Sequence, residues 1–395
     1  MFICRLGTRR QIGLILRNRL NEKNSKALFR VDAFPHGDTL NKVFCRLDPS
    51  QMQEVVTSMT EALIRKKALY SWRLLGRYFV IAIDGTGYLT FGERHCPNCL
   101  TRTHKNTTIY YHHVLEAKLV TPNGFAFSLM TEFIENEDPA ATKQDCELKA
   151  FYRLPERLKR RFPRLPIVLS LDGLFAEGPV FDVCRAYDWR FMIVLKDKDL
   201  PSVNAEFLAL LPLQSESRLH RRIGRNGDTE QDYSWVEDIS YVDSKRREHR
   251  LTVLQCRKTR KGKKQKLTTT KYKWVTDLTV SKSNAVELAH HGGRDRWKVE
   301  NEGFNVQKNG GYGLEHAYTN NMNSAKIFYF LLQIAHTIVQ LMNKGSLLKC
   351  YFPRGFGSVK NLALHILEAW RGVLLSPEDM KAIERASFQI RFDTS

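Results

Sequence analysis

Tyr78-Phe79-Val80-Ile81-Ala82-Ile83-Asp84 is an apolar run closed by an acid and followed by Gly85. An uninterrupted apolar run of this length, bounded by a turn former, reads as a strand buried on both faces. A second run, Ile167-Val168-Leu169-Ser170-Leu171, ends the same way on Asp172-Gly173. A third acid, Glu300, lies in Arg294-Asp295-Arg296-Trp297-Lys298-Val299-Glu300-Asn301, which reads as a helix. Taken singly, each has an ordinary explanation. An Asp before Gly caps its own turn, and Glu300 is placed to pair with Arg296 one helical turn earlier. Taken together, three carboxylates converging from distant positions can hold two Mg²⁺ or Mn²⁺ ions, a pair suited to in-line attack at a phosphodiester.

Outward from these runs the chain falls into parts. Residues 1–75 read as helical and rich in Lys and Arg, with Asp48-Pro49 as a helix start and Met59, Leu63 and Ile64 on one helix. After the strand at 78–84, residues 109–120 and 125–133 form a hairpin about Thr121-Pro122-Asn123-Gly124. A helix over 142–160 stops before Pro163 and Pro166. The Asp172 strand, a helix over 177–187 and a buried strand over 191–195 follow. Asp145 and Glu147 either open the helix over 142–160, where its dipole favours acids, or add acidity near the site. The apolar stretch 325–342 contains Lys326, Gln333, His336 and Gln340 and reads as a buried helix rather than a membrane span.

Composition narrows the partner. The chain of 395 residues carries a net charge of +20 and is 43% apolar, enough for two or three domains with sizeable cores. A strong basic excess suits a polyanion through counterion release, although acidic lipid would attract it too. The eight Cys follow no disulfide framework and suit a reducing cytosol. The N-terminus lacks a signal-peptide apolar run; its abrupt basic start leads to the expectation of a preceding segment.

The segments Ile83-Asp84-Gly85-Thr86-Gly87-Tyr88, Asp172-Gly173-Leu174-Phe175-Ala176-Glu177-Gly178-Pro179 and GRDRWKVENEGFNVQKNGGYGLEH (293–316) carry a family resemblance. Over roughly residues 35–345 the chain resembles bacterial insertion-sequence transposases of the DDE class, cut-and-paste branch. The resemblance implies an α/β fold with a ribonuclease H-like core, a mixed five-stranded sheet flanked by helices. It also implies a β-rich insertion before the third acid and helical N- and C-terminal regions. The expected divisions are 1–75 (helical, DNA-end binding or a cap on the core), 76–202 (first part of the core), 203–280 (the insertion), 281–345 (final core helices) and 346–395 (helical).

The implied activity is metal-dependent cleavage of transposon ends and strand transfer into target DNA. Asp84, Asp172 and Glu300 would hold two Mg²⁺ or Mn²⁺ ions. Arg294, Arg296 and Lys308 would contact DNA, and Trp297 and Phe304 would pack the helix. The partners implied are terminal inverted repeats, target DNA and a second copy of the chain, in the cytoplasm and with no membrane. The family's signature has a Lys two turns after the Glu, where this chain has Gln307 followed by Lys308. Glu302 is an alternative third ligand. At about 100° per residue it diverges by roughly 200° from Glu300, which shares its helix face with Arg296, Trp297 and Phe304 and is preferred.

Two further segments draw expectations. In the insertion, Lys258-Thr259-Arg260-Lys261-Gly262-Lys263-Lys264-Gln265-Lys266 reads as a DNA-contacting loop or as a solvated hairpin tip. His95-Cys96-Pro97-Asn98-Cys99, followed by His104 and then His112 and His113, has zinc-like spacing. The expected ligands are His95, Cys96, Cys99 and His104; the alternative is a wide loop with free thiols. Two other functions stay open: a catalytically inactive or domesticated DNA-binding protein, and a metal-dependent nuclease without strand transfer.

Overall fold

The strand that carries Asp84 does not stop there. A computed structural model of the chain describes residues 1–136, 143–224, 228–261, 267–349, 352–386 and 390–392. In it, β1 spans Phe79–Phe91. Asp84 is therefore mid-strand rather than at a strand exit, because β1 goes on pairing with β3 (Thr107–Val120) through Asp84↔Glu116 and Thr86↔Val114. A register shift between Gly87 and Leu89 bends the pair without ending it. β4 (Ala126–Ile134) completes the hairpin about Pro122-Asn123, and a short β2 (Leu100–His104) pairs with the outer half of β3.

The helical N-terminal region comprises α1 (Arg9–Gln11), α2 (Arg19–Phe29), α3 (Gly37–Phe44) and α4 (Pro49–Arg65). Asp48 caps α4 by accepting from the Ser50 N–H at 2.8 Å, and Pro49 occupies its first turn. α4 covers β4. Its Thr57 and Thr60 hydroxyls donate to the Leu129 and Ser128 carbonyls at 2.7 and 2.8 Å, and Gln53 Oε1 accepts from Thr131 N–H at 2.8 Å. A sheet margin that would otherwise expose unpaired backbone groups is thereby closed.

Next come α5 (Glu147–Arg161), β5 (Ile167–Leu171), α6 (Gly178–Ala186), β6 (Arg190–Val194) and α7 (Pro201–Leu210). The stretch expected as an insertion is β-rich: β7 (Arg218–Ile223), β8 (Thr229–Val242), β9 (Glu248–Lys261) and β10 (Leu267–Thr276). It does not stand apart, because β10 pairs with β6 through Val275↔Ile193. One mixed sheet of ten strands results, in the order β2-β3-β1-β5-β6-β10-β9-β8-β7 with β4 on β3. The expected five-stranded sheet is thus doubled, since β6 offered a free edge and β10 had a matching apolar strip to pair with it.

The sheet separates two layers. On one face, Ile81, Ile83, Leu169, Ile193, Val253 and Val275 pack with Phe151, Leu154, Phe181 and Phe207 of α5, α6 and α7. On the other, Val80, Ala82, Val168, Met192, Leu254 and Trp274 pack with Leu288, Val299 and Phe304. These last residues belong to an irregular helical segment over 285–309. It contains α8 (Ala285–Glu287), π-turns at Leu288–Gly293 and Val299–Phe304, a tight turn at Arg294–Trp297, and α9 (Asn305–Asn309).

α10 (Met322–Lys344) crosses behind the β3–β4 hairpin. Among the described residues it is the helix long and apolar enough to span a membrane, and 67% of its most apolar window is buried in the protein. α11 (Val359–Gly372) packs on α2 through Phe29 and Trp370, and α12 (Pro377–Arg385) follows.

Candidate active site

β1 and β5 run parallel, in register through Ala82↔Ser170. Carried on by two residues, one past the end of β5 at Leu171, that register brings Asp172 level with Asp84. Side chains alternate along a strand, so both acids fall on the face of Val80, Ala82 and Val168, beneath the helical segment. Ser170 fixes that segment locally, donating to the Gly292 carbonyl at 2.7 Å.

Arg296 descends from the segment onto Asp84. Its Nη1 lies 2.9 Å from Asp84 Oδ2, and its Nη2 lies 3.8 Å from Glu300 Oε1. The Asp84 carboxyl is pushed up to about 7, first by burial; Glu300 and Glu147 raise it further, while Arg296 opposes them. Asp172 is more open. Its Oδ1 accepts from the Gly173 N–H at 2.6 Å, and Lys196 Nζ lies 3.3 Å away.

Glu147, in the first turn of α5, is the residue whose place the sequence left undecided. It comes from the opposite layer and lies over Gly85, where a Cβ would stand 2.1 Å from its Oε1. His113 Nδ1 is 3.5 Å from the same oxygen. Burial and then Asp172 raise the Glu147 carboxyl. Four acids thus share one neighbourhood, with Glu147 acting on both Asp84 and Asp172. The side-chain sets close enough to share one ion are His95, Cys96, Cys99 and His112, and Asp182, Asp243 and His249, among the described residues. The acidic trio is in neither. Asp182 and Asp243 are both held by the Arg247 guanidinium, so a cation already occupies their place.

Glu302 turns away from the acids towards Lys344 and the β3–β4 turn at Gly124. Gln307 is buried and donates to Gln333 Oε1 at 2.8 Å, remote from the acids. Lys308 instead reaches the site's surroundings: it pairs with Glu315 at 2.7 Å, and it adds to the burial that pushes His113 down to about 4. The π-turn at Val299–Phe304 accounts for the shift, because a wider turn takes up one extra residue and delays the following positions by one.

Arg296, expected to contact DNA, is buried against Asp84. One other expectation is corrected. Trp297 does not pack the helix; it is exposed, while Phe304 is buried as expected. Trp297 lines a groove with Lys196, Lys271, Tyr272 and Arg294. The Arg294 guanidinium lies 4.6 Å from the Tyr272 ring centre. Tyr272 also lines the next groove, with Lys258, Arg260 and Lys261. A basic strip therefore leads from Lys196, beside Asp172, along β9 and β10. Lys263, Lys264 and Lys266 lie outside the described residues.

In the Cys-His loop, His95, Cys96 and Cys99 come together with His112 of β3. His104 is exposed at the end of β2, paired through its backbone with Thr107, and is not part of the group. The antiparallel β2–β3 pairing brings β3 back past the loop and delivers His112 there. No family model matches the chain, and no curated protein matches it.

Proposed function

We propose that the chain is a metal-dependent DNA-cleaving and strand-joining enzyme of the DDE transposase kind, built on a ribonuclease H-like core. The observation that supports this reading is the parallel register of β1 and β5, which, carried on by two residues, brings Asp172 level with Asp84 on the face covered by the segment bearing Glu300. The strand order β4-β3-β1-β5-β6 supports it, with antiparallel pairs on one side of β1 and parallel pairs on the other. That fold brings its first and fourth core strands together, as β1 and β5 are here.

The residues fit hard divalent cations. The donors are carboxylate oxygens, which Mg²⁺ and Mn²⁺ prefer. Asp84, Glu300 and Glu147 outnumber the one guanidinium among them; burial first, and then Glu300 and Glu147, raise the Asp84 carboxyl against Arg296. Asp84, Asp172 and Glu300 would hold the ions, with Glu147 beside them. Bound there, two such ions supply an activated water or 3′-hydroxyl and stabilise the leaving 3′-oxygen. The chain's own contributions are positional. Arg296 orients Asp84, and His113 orients Glu147. The strip from Lys196 through Arg294 to Lys261 would track a phosphate backbone. Lys308 would contact DNA near the third acid. A second copy of the chain would serve the other DNA end.

Incubation of the full chain with DNA carrying the inverted repeats that flank its gene, with Mn²⁺ and a supercoiled target, tests the reading. Nicked ends and joined products are expected. Cleavage without joining, with pre-cut ends also inert, would leave a nuclease. Binding without either reaction would leave a DNA-binding protein.

A further inference from the structure

We propose that the chain carries a structural zinc ion held by Cys96, Cys99, His95 and His112, apart from the acidic site and taking no part in the chemistry proposed for it. The Cys96 and Cys99 sulfurs are 3.3 Å apart. His112 Nε2 lies 3.4 Å from Cys96 Sγ, 3.6 Å from Cys99 Sγ and 3.2 Å from His95 Nε2. His95 Nδ1 lies 3.4 Å from Cys99 Sγ. Zinc takes sulfur at about 2.3 Å and imidazole nitrogen at about 2.0–2.1 Å in a tetrahedron, whose edges are then roughly 3.3–3.8 Å. The separations among Cys96 Sγ, Cys99 Sγ and His112 Nε2 fall close to that range, His95 brings one nitrogen within 4.8 Å of all three, and Cys₂His₂ is an established closed set for structural zinc.

A second observation points the same way. His112 is fully buried, and its other nitrogen, Nδ1, has no hydrogen-bond partner. It faces Glu135 Oε1, also buried and unpartnered, at 4.0 Å. The other Glu135 oxygen is held by Lys326 of α10 at 2.5 Å. A carboxylate behind the far nitrogen of a ligating imidazole is the usual outer-shell device for fixing its tautomer and direction. Without a metal, two thiols and two imidazoles would be crowded together among Tyr88, Phe91 and Phe133 with donors poorly matched to acceptors.

The ion would clamp the loop after β1 onto β3. From the same loop, the Cys99 carbonyl accepts from Asn136 Nδ2 at 3.0 Å, and Asn136 Oδ1 accepts from the Asp145 N–H at 3.1 Å. Asp145 lies two residues before Glu147. His113, next to His112, faces the opposite side of β3 and touches Glu147. The knuckle thus braces both the strand and the helix start that place Glu147. Binding would release the proton of each thiol, leaving two thiolates and two neutral imidazoles on Zn²⁺.

The test is the metal content of the full chain purified without chelator, measured by mass spectrometry. One zinc per chain is expected, with loss in Cys99→Ser and His112→Ala and retention in His104→Ala. Because those variants could fail to fold, the wild-type chain is also exchanged into Co²⁺. Intense visible d–d bands with a thiolate-to-metal charge-transfer band would support the tetrahedral Cys₂His₂ site. A soluble wild-type chain that holds no zinc and takes up no cobalt would overturn the proposal. So would zinc retained in a Cys96→Ser, Cys99→Ser double variant, or a Cys96–Cys99 disulfide in the chain isolated under reducing conditions.

Discussion

Arg296 and Asp84 are 212 residues apart in sequence and 2.9 Å apart in the fold, and both are largely buried. The pair ties the third-acid segment to the strand of the first acid, and it sets the charge balance of the site. Arg296→Met should destabilise the fold by roughly 3–5 kcal/mol at pH 8.5, where Asp84 is ionised and loses its partner. At pH 5.5 the loss should shrink, because Asp84, pushed up to about 7, can then be buried neutral. Denaturant midpoints at the two pH values check this. Equal losses at both would mean that Arg296 acts by packing alone.

Asp172→Asn should abolish DNA cleavage and leave DNA binding intact. The Asn oxygen can still accept from Gly173 N–H, as Asp172 Oδ1 does at 2.6 Å, so the turn survives. Losing several kcal/mol of metal-dependent stabilisation corresponds to about a thousandfold in rate at ~1.36 kcal/mol per factor of ten. Glu300→Gln should behave alike and Glu302→Gln should be mild, since Glu302 faces Lys344 and Gly124. Gel shifts and cleavage assays on all three variants decide it.

Gly85→Ala should leave stability within about 1 kcal/mol of wild type yet impair cleavage. Its new methyl would stand 2.1 Å from Glu147 Oε1, the mobile end of a side chain that can swing aside at small cost. What it gives up is its position over Gly85 and against His113. Undiminished turnover in Gly85→Ala would remove Glu147 from the site's chemistry.

Replacing Lys258, Arg260 and Lys261 together by Ala should flatten the salt dependence of DNA binding. Each phosphate contact contributes a slope of about −0.9 in log K against log salt, so the change is at most roughly 2.7. Binding isotherms over a salt series measure it. An unaltered slope would return these residues to a solvated hairpin.

The fold should lose stability as pH falls below 6.5. Burial pushes His291 down to about 4, and it holds His336 well below 6.5. The unfolded chain binds these protons first, so the stability they contribute is present above pH 6.5 and is lost on acidification. Asp84 acts oppositely, favouring the fold as pH drops from about 7 towards 3.8. His336→Gln removes one proton site and should shallow the acid limb of the stability curve. An acid limb as steep as wild type would exclude His336 as a source.

Much of the architecture was legible locally. The runs before Asp84 and Asp172, the Asn123-Gly124 hairpin and the Asp48-Pro49 cap are written in periodicity and turn chemistry, which act over a few residues. That Glu300 and Glu302 diverge was also legible from helical geometry: Glu300 lies by Arg296, and Glu302 faces Lys344. Other features gave no such signal. Glu147 reads as a helix opener until α5 and Gly85 meet; His112 is one of several histidines until β2 folds back on β3.

By itself, then, the sequence determined the apolar cores of the central strands, which acids follow apolar runs, and that the chain is basic. Only the tertiary structure decided that 203–280 extends the main sheet, that Arg296 points inward and Trp297 outward, and that Lys308 replaces Gln307 beside the site. Those outcomes depend on strand pairing and on a one-residue π-turn shift. Both are set by which distant surfaces bury one another, and no local window of the chain contains both partners.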